Sequence, residues 1–133
     1  MSKEVTKLKK KADTVFSKYI RMRDGVKTEH GWYAGCITCG AYKPVAQQQA
    51  GHFVSRACNK LRFDEENVNV QCFSCNVKQH GNQFEYAKQV DLKYGDGTAD
   101  KLHNQRHDTK QFKAFELQEI IDEYSKQIKE MEG

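Results

Sequence analysis

The sequence lacks any apolar run close to the roughly 18 residues that a transmembrane helix requires. Its lysine-rich start, residues 1–11, is followed by no apolar stretch and does not resemble a secretory signal. Leu, Ile and Val are scarce, and hydrophobic residues make up only 38% of the 133 residues. We therefore expect one compact cytoplasmic domain whose small core is stabilised by a structural metal, with no membrane association.

Positive charge is concentrated in the first part of the chain. The first thirty residues contain nine Lys and Arg against four Asp and Glu, whereas the whole chain carries a net charge of +4. A basic arm of this kind suits a phosphate backbone. Charge alone favours the simpler interpretation of a solvated helix face, so an interaction with nucleic acid needs separate support.

Helical spacing of apolar residues is found at both ends of the chain but not in its middle. Near the N-terminus it predicts an amphipathic helix from a cap at Ser2 to a stop at Asp24. Short helices are predicted near 84–94 and 98–102, and a long amphipathic helix is predicted from a cap at Asp108 or Thr109. The glycine- and cysteine-rich middle predicts short strands near 32–33, 49–54 and 68–71.

These patterns predict an α+β fold in three parts. Residues 1–30 form a basic N-terminal helix, residues 31–95 a small metal-braced module, and residues 96–133 a helical region. The apolar stripes of the terminal helices are expected to pack on each other, on the middle module or on a second subunit.

Four of the five cysteines occur as two Cys-x-x-Cys pairs, Cys36 with Cys39 and Cys72 with Cys75. Two such pairs supply four thiolates, which is the closed tetrahedral shell of structural zinc. Four sulfur ligands leave no open position, so this Zn²⁺ is expected to stabilise the fold rather than to catalyse. An iron–sulfur cluster is the alternative metal group. Cys58 lies outside both pairs and is interpreted as a free thiol.

Polar residues at particular offsets surround the second cysteine pair. His52 and Asn67 precede the pair, Asn76 follows it directly, and His80 comes four residues later. Asn76 and His80 share a face if a helix begins at the second pair. Several basic residues are candidate phosphate contacts as well as ordinary surface charges: Arg21, Arg23, Arg56, Lys60, Arg62 and Lys78.

The order of these residues resembles that of the HNH, or His-Me finger, nucleases. The closer resemblance is to the lambda NinG (Rap) recombination family, and the ending Cys75-Asn76 also resembles endonuclease VII-type junction resolvases. The resemblance is carried by residues 16–24, 36–40, 50–56, 61–67, 71–76 and 80–82 with Tyr86, and more weakly by Arg106-His107. It implies a ββα-metal module in which a strand pair and a helix hold one divalent ion.

The resemblance also implies an activity, namely metal-dependent cleavage of branched DNA such as Holliday junctions and D-loops. By analogy His52 is the general base, Asn76 a ligand of Mg²⁺ or Mn²⁺, and Asn67 the residue that orients the His52 loop. Junction resolution implies a homodimer, with the terminal helices as its interface. A phage origin would place the protein in the cytoplasm of a bacterial host, with recombination proteins as possible partners.

The sequence departs from the common HNH motif at Gly51, where many members carry an acidic metal ligand. His80 is the first candidate for the missing second ligand, and Asp64, Glu65 and Glu66 are alternatives. A histidine ligand favours Mn²⁺ or a softer ion. Two other functions remain open, a non-catalytic zinc-dependent nucleic-acid-binding protein and a sequence-specific HNH endonuclease of homing or restriction type.

Overall fold

The structure is a computed structural model that describes residues 2–133. Helix α1 spans Lys3–Arg23, and its first turn is capped by the Ser2 hydroxyl, which accepts a hydrogen bond from the amide of Val5 at 3.1 Å. The remaining elements are, in chain order, β1 (Gly25–Thr28), β2 (Gly31–Gly35), β3 (Tyr42–Pro44), β4 (Gln49–His52), β5 (Val68–Gln71), α2 (Gln83–Tyr94), α3 (Thr98–Asn104) and α4 (Ala114–Glu132).

The strands form two small antiparallel sheets. One sheet has the order β1-β2-β3, and the other pairs β4 with β5 so that His52 lies opposite Val68. All four residues of β5 are buried. The backbone amide of Ile37 donates to the carbonyl of Val70 at 2.8 Å and joins the two sheets. Strand β5 is therefore a central element of the fold, and it holds β4 in place.

The terminal helices pack against each other within one chain. Ala12 of α1 meets Leu117 and Ile121 of α4 in one apolar cluster, and Phe16 and Ile128 belong to a second cluster that reaches β5. The apolar stripes are thus used inside the monomer. This finding gives no support to the terminal helices as a dimer interface, and the homodimer itself stays a prediction.

Helix α2 and helix α3 form the other layer of the core. Tyr86, Val90 and Leu102 pack against Phe53 and against other residues of the loop that follows β4. The two-stranded sheet consequently lies between the α1–α4 pair on one side and the α2–α3 pair on the other. Among residues 2–133, no helix is long and apolar enough to cross a bilayer.

The predicted α+β class is confirmed, but several boundaries differ. Helix α1 ends at Arg23, and residues 25–28, expected within the N-terminal helical part, form β1; Met1, where that part begins, lies outside the described residues. Strand β3 was not predicted either. Helix α4 begins at Ala114 rather than near Thr109, because the Glu116 carboxylate accepts a hydrogen bond from the Lys113 amide at 2.9 Å and starts the helix there.

Candidate functional site

Four cysteine sulfurs converge at the junction of the two sheets. Cys36 follows β2 and Cys39 lies in the turn before β3, whereas Cys72 follows β5 and Cys75 lies in the next turn. The four sulfur atoms all lie within 4.8 Å of one another. Gly40 has a φ of +79° and closes the first turn, because this backbone conformation is unfavourable for other residues. Each Cys-x-x-Cys pair thus belongs to a different sheet.

The cluster fits a tetrahedral metal ion. The Sγ atoms of Cys39 and Cys72 are 3.7 Å apart, and four thiolates bound to zinc at about 2.3 Å lie about 3.8 Å from one another. Thr38 Oγ1 is 3.2 Å from Cys36 Sγ, and Asn82 Nδ2 donates to Cys75 Sγ at 3.7 Å. Burial would raise the pKa of the Cys36 thiol, but hydrogen bonds from Thr38 and backbone amides lower it to about 6. The four cysteines could therefore hold Zn²⁺.

His52 ends strand β4 and lines a surface cavity of about 570 Å³, called here the His52 cavity. Its Nε2 lies 2.9 Å from the backbone carbonyl oxygen of Arg62. A carbonyl oxygen only accepts, so Nε2 carries the proton of the neutral ring and Nδ1 has the free lone pair. Burial lowers the pKa of His52 below its usual value of 6.5, although the Arg62 carbonyl and Asp13 oppose this shift. The ring is therefore a neutral proton acceptor near pH 7.

Asn67 is completely buried and holds the chain on both sides of the loop after His52. Its Oδ1 accepts from the Val54 amide at 2.8 Å, and its Nδ2 donates to the carbonyls of Val54 and Leu61 at 3.0 and 3.1 Å. Leu61 directly precedes Arg62, whose carbonyl binds the His52 ring. Asn67 thus connects the loop to the residue that sets the tautomer of His52.

Asn76 and His80 both line the His52 cavity, but they do not share one helix. Residues Ser74–Lys78 form a single π-helical turn, and the chain then reverses through residues 80–82, all with positive φ. Asn76 Nδ2 donates to Gln49 Oε1 at 2.6 Å, which leaves Asn76 Oδ1 free of that bond. His80 is exposed. The condition under which Asn76 and His80 would share a helix face is thus not met, although both side chains line the same cavity as His52.

The structure explains why glycine occupies position 51. A Cβ atom at Gly51 would lie 1.9 Å from Oε1 of Gln71, and Gln71 is itself fully buried. Gln71 is held in place by hydrogen bonds from its Nε2 to the Gly81 carbonyl at 2.9 Å and to Thr38 Oγ1 at 3.3 Å. No side chain, acidic or otherwise, fits at position 51 without displacing Gln71.

The three acidic alternatives for a metal ligand are engaged elsewhere. Asp64 accepts from the amides of Glu66 and Asn67, Glu65 accepts from the hydroxyls of Tyr19 and Tyr124, and Glu66 pairs with Lys101 at 2.7 Å. None of the three lines the His52 cavity. Their assignment as ligands is therefore not supported, and His80 stays the candidate that the cavity contains.

Two of the predicted phosphate contacts lie at the site. Arg56 is exposed and lines the His52 cavity, and it also lines a neighbouring cavity of about 330 Å³ that contains Arg21. Arg21 donates to the backbone carbonyls of Val45 at 2.8 Å and Ser17 at 3.2 Å. It makes no ion pair with any of the described residues, and burial lowers its pKa. Its charge is therefore not neutralised by a carboxylate.

The other predicted contacts differ in their surroundings. Arg23 pairs with Asp24 at 2.8 Å and also binds the Asn69 side chain and the Glu65 carbonyl, so its donors are used inside the fold. Arg62 forms a two-pronged ion pair with Asp13. Lys60 and Lys78 are exposed and line neither cavity. We therefore assign Arg23 and Arg62 to structural contacts rather than to DNA.

Two residues at the site were missed by the sequence analysis. Asp13 of α1 lies in the same cavity as Arg21 and His52, and Gln49 of β4 binds Asn76. Asp13 is remote in sequence from the motif, so only the packing of α1 against β4 brings it there. Gln49 lies three residues before His52, and its side-chain amide, so close to the motif, is the one sequence feature that points to it.

The fold and the site define a small α+β protein with a four-cysteine cluster that could hold a metal ion and a separate cavity lined by histidine and asparagine. A family model described as "Bacteriophage Lambda NinG protein" matches residues 1–133. Over 97 residues, 72% of this chain, the sequence is 31% identical to "Protein ninG" of Escherichia phage lambda and of Escherichia phage 933W. It is 32% identical to the corresponding protein of Salmonella phage P22.

The chain therefore belongs to the phage NinG family. The matched segment covers 47% of each of these relatives, so the chain spans about half the length of the curated proteins that it matches. No solved protein structure matches it significantly. These similarities show the family, and they do not identify the chemistry of the site.

Proposed function

We propose that this protein is a divalent-metal-dependent endonuclease that cuts branched DNA, with His52 as the general base. The observation that carries the proposal is the hydrogen bond from His52 Nε2 to the Arg62 carbonyl, which leaves Nδ1 unprotonated in a cavity shared with Asn76 and His80. Hydrolysis of a phosphodiester needs a group that removes a proton from water near pH 7. A neutral, buried histidine held in one tautomer meets that need.

Strands β4 and β5 followed by α2 provide the framework of a ββα-metal module. His52 lies on the first strand, and Asn76 and His80 lie between the second strand and the helix. This is the order that the HNH class uses. Asn67 acts as a positioning residue, because it holds the loop whose Arg62 carbonyl orients the ring of His52.

Asn76 Oδ1 and the His80 ring are the proposed protein ligands of the catalytic Mg²⁺ or Mn²⁺. Such an ion supplies a positive charge to the scissile phosphate and to the leaving 3′ oxygen. Both ligands are neutral, so oxygen atoms of the DNA phosphate are needed to complete the site. The Oε1 atom of Gln49 accepts a hydrogen bond from Nδ2 of Asn76. The Oδ1 atom of Asn76 therefore lies away from this contact. The imidazole of His80 favours Mn²⁺.

Arg21 and Arg56 are the proposed phosphate contacts beside the base. Both lie at the cavity that His52 and Asn76 share, and Arg21 has no carboxylate partner within residues 2–133. Contacts to phosphates position DNA without reading its sequence, so recognition is expected through phosphates and DNA shape. Cleavage of both strands of a four-way junction requires two active sites, which implies a homodimer, and recombination proteins are the expected partners.

A cleavage assay tests this proposal. The zinc-loaded protein is incubated with a labelled four-way junction and with a linear duplex of the same sequence, in Mg²⁺, Mn²⁺ or EDTA. We expect metal-dependent nicks in the junction that are lost in His52→Ala, by about 100-fold or more. His30→Ala is the matched control, because His30 is an exposed histidine in the turn before β2 and lines neither cavity.

Other outcomes separate the alternatives. Cutting of linear duplex at fixed sequences would keep His52 as the base and assign the protein to the homing or restriction type. Salt-sensitive junction binding without cleavage, equal in wild type and His52→Ala, would instead establish a zinc-dependent binding protein and overturn the proposed catalysis.

A further inference from the structure

A second groove lies directly beside the His52 cavity and is not needed for the proposed chemistry. It has a volume of about 560 Å³, which is within the range of ligand-binding sites, and we call it the Cys58 groove. It shares Phe53, Ser55 and Gln83 with the His52 cavity, so the two adjoin. A strand whose phosphate lies at His52 is therefore expected to place a neighbouring nucleotide at this groove.

The groove has an apolar floor and a basic rim. Phe53, Val54 and Cys58 form the floor, and the rim is formed by four exposed side chains: His103, Arg106, His107 and Lys110. Asp108 is the acidic residue at the groove, and Lys110 is already paired with Glu116 at 2.9 Å. Arg106 donates to the carbonyl of His103 at 2.9 Å and keeps further donors for a ligand.

The walls of the groove are held together before any ligand arrives. Asn59 Nδ2 donates to the Lys110 carbonyl at 3.1 Å, and the Cys58 thiol lies 3.8 and 3.9 Å from the carbonyls of Gln105 and Asp108. These contacts connect the loop after β4 to the segment between α3 and α4. A preformed groove of this kind binds a flexible strand with less loss of conformational entropy than a loose loop would.

We infer that the Cys58 groove binds one unpaired nucleotide of the DNA strand whose phosphate lies at His52. Sites for single-stranded nucleic acid combine an apolar surface for the base with positive charge for the backbone. The groove offers Phe53 and Val54 for the base and, for a phosphate, the exposed Arg106 guanidinium, which makes no ion pair among residues 2–133. A base within a duplex is stacked and paired and cannot enter. The inference rests on the proposed nuclease function and adds a preference among its substrates: branches that offer an unpaired nucleotide beside the phosphate at His52 are expected to bind more tightly than branches whose bases are all paired.

Protection of Cys58 from alkylation tests this inference without any cleavage. Cys58 is the one cysteine among residues 2–133 outside the four-cysteine cluster, and its half-buried thiol lines the groove. We expect oligodeoxythymidylate of about 12 nucleotides to slow iodoacetamide alkylation of Cys58 at least about five-fold, whereas a blunt hairpin duplex does not. Mass spectrometry of the Cys58 peptide follows the reaction in zinc-loaded protein without Mg²⁺ or Mn²⁺.

A groove-filling variant provides the second test. Ala57 is exposed and lines only this groove, and Ala46 is an exposed alanine that lines none of the three cavities. We expect Ala57→Trp to weaken single-strand binding about ten-fold and to leave duplex binding unchanged. Ala46→Trp should change neither. Thermal melting of both variants checks that they fold.

The outcomes separate the two proposals. If single strands protect Cys58 but no DNA is cut in the presence of divalent metal, the nuclease function fails and the groove remains a nucleotide site. If branched DNA is cut in a His52-dependent way while Ala57→Trp behaves like Ala46→Trp, the groove inference fails alone. Equal protection of Cys58 by the hairpin duplex would also overturn it.

Discussion

His52 and Arg21 are half-buried and are held by backbone carbonyls rather than by carboxylates of their own. The His52 ring donates to Arg62, and the Arg21 guanidinium donates to Val45 and Ser17. A carbonyl fixes the position of a donor without cancelling its charge. Burial lowers the pKa of His52 and keeps the ring neutral, and the Arg21 guanidinium keeps its charge for an anion.

The first prediction concerns the pH dependence of cleavage. A general base acts only in its neutral form, and burial lowers the pKa of His52 below 6.5. We expect the single-turnover rate to rise with pH from about 5 and to level off before about pH 7. DNA affinity measured without divalent metal over the same range is the control. An inflection clearly above 6.5 would contradict a buried neutral His52 as the base.

The second prediction separates two arginines that are only two residues apart. Arg21→Ala is expected to lower the cleavage rate about ten-fold or more, because Arg21 is a proposed phosphate contact. Little change in stability is expected, because Arg21 forms no ion pair among residues 2–133. Arg23→Ala is expected to lower the free energy of unfolding by roughly 2–3 kcal/mol, because it breaks the ion pair with Asp24, which then keeps only Lys93, and removes the hydrogen bond to the Glu65 carbonyl.

Cleavage rates and urea denaturation of the two variants are compared side by side. Arg21→Lys is a useful further control, since it keeps the charge but loses the planar fork. Normal cleavage by Arg21→Ala, together with weaker DNA binding by a fully stable Arg23→Ala, would reverse the assignments. Arg23 would then be the DNA contact, and Arg21 would not.

At the scale of elements, β4 is shaped by what packs beneath it. Gly51 lies over the buried side chain of Gln71 on β5, and the Tyr86 hydroxyl of α2 donates to the Gly51 carbonyl at 2.6 Å. Strand β4 is thereby pressed between its partner strand and α2. The close approach keeps His52 in place and leaves no room for an acidic side chain at position 51.

The third prediction tests that close approach. Gly51→Ala is expected to lower the free energy of unfolding by about 2–3 kcal/mol, because the new methyl group overlaps Gln71. Gly35→Ala in β2 is the matched control, since the nearest atom to its Cβ is 3.9 Å away and its φ is not positive. Urea denaturation measures both. Equal stability of the two variants would show that Gln71 moves aside freely.

The elements that the sequence predicted well have a strong local signal. Helix α1 ends at Arg23 as its apolar spacing and Asp24 indicate, and β4 and β5 lie where short strands were predicted, near 49–54 and 68–71. Strands β1 and β3 were missed because they are short and partly exposed, and β3 contains the single proline. The start of α4 was placed too early, because the cap formed by Glu116 depends on a contact that spacing does not reveal.

At the scale of the whole molecule, the candidate site depends on contacts between distant segments. His52, Asn76 and His80 were chosen from their order along the chain, and the structure brings them to one cavity. Asp13 could not be found in this way, because its place beside His52 follows from how α1 packs on the two-stranded sheet. The absence of Glu65 from the site likewise follows from the hydroxyls of Tyr19 and Tyr124 that bind it.

The four-cysteine cluster joins these separate parts. One cysteine pair closes the β2–β3 turn, and the other follows β5 and ends in the turn that carries Asn76. A metal bound there fixes the second sheet relative to the first and also fixes the start of the segment that leads to His80. Metal binding is therefore expected to stabilise both the fold and the His52 cavity, although no cysteine lines that cavity.

The last prediction is that one zinc ion per chain is required for a cooperative fold. Cys72→Ser removes a buried ligand from the centre of the cluster, and we expect it to abolish stoichiometric zinc binding and the cooperative thermal transition. Cys58→Ser changes a thiol outside the cluster and should keep one zinc and a similar melting temperature. Metal analysis and calorimetry of the two variants provide the comparison.

A chelator applied to the wild-type chain should reproduce the effect of Cys72→Ser, and added Zn²⁺ should reverse it, because removing the ion and removing one of its four thiolate ligands both dismantle the same site. The reversal distinguishes loss of metal from chemical damage to the thiols. If Cys72→Ser still melts cooperatively at the wild-type temperature, the two sheets are held without the metal, by contacts such as the hydrogen bond from the Ile37 amide to the Val70 carbonyl and the packing of Ala34 and Val70 in one apolar cluster. The cysteine cluster would then not be a structural site, and the position of Asn76 would have to be explained by its contact with Gln49.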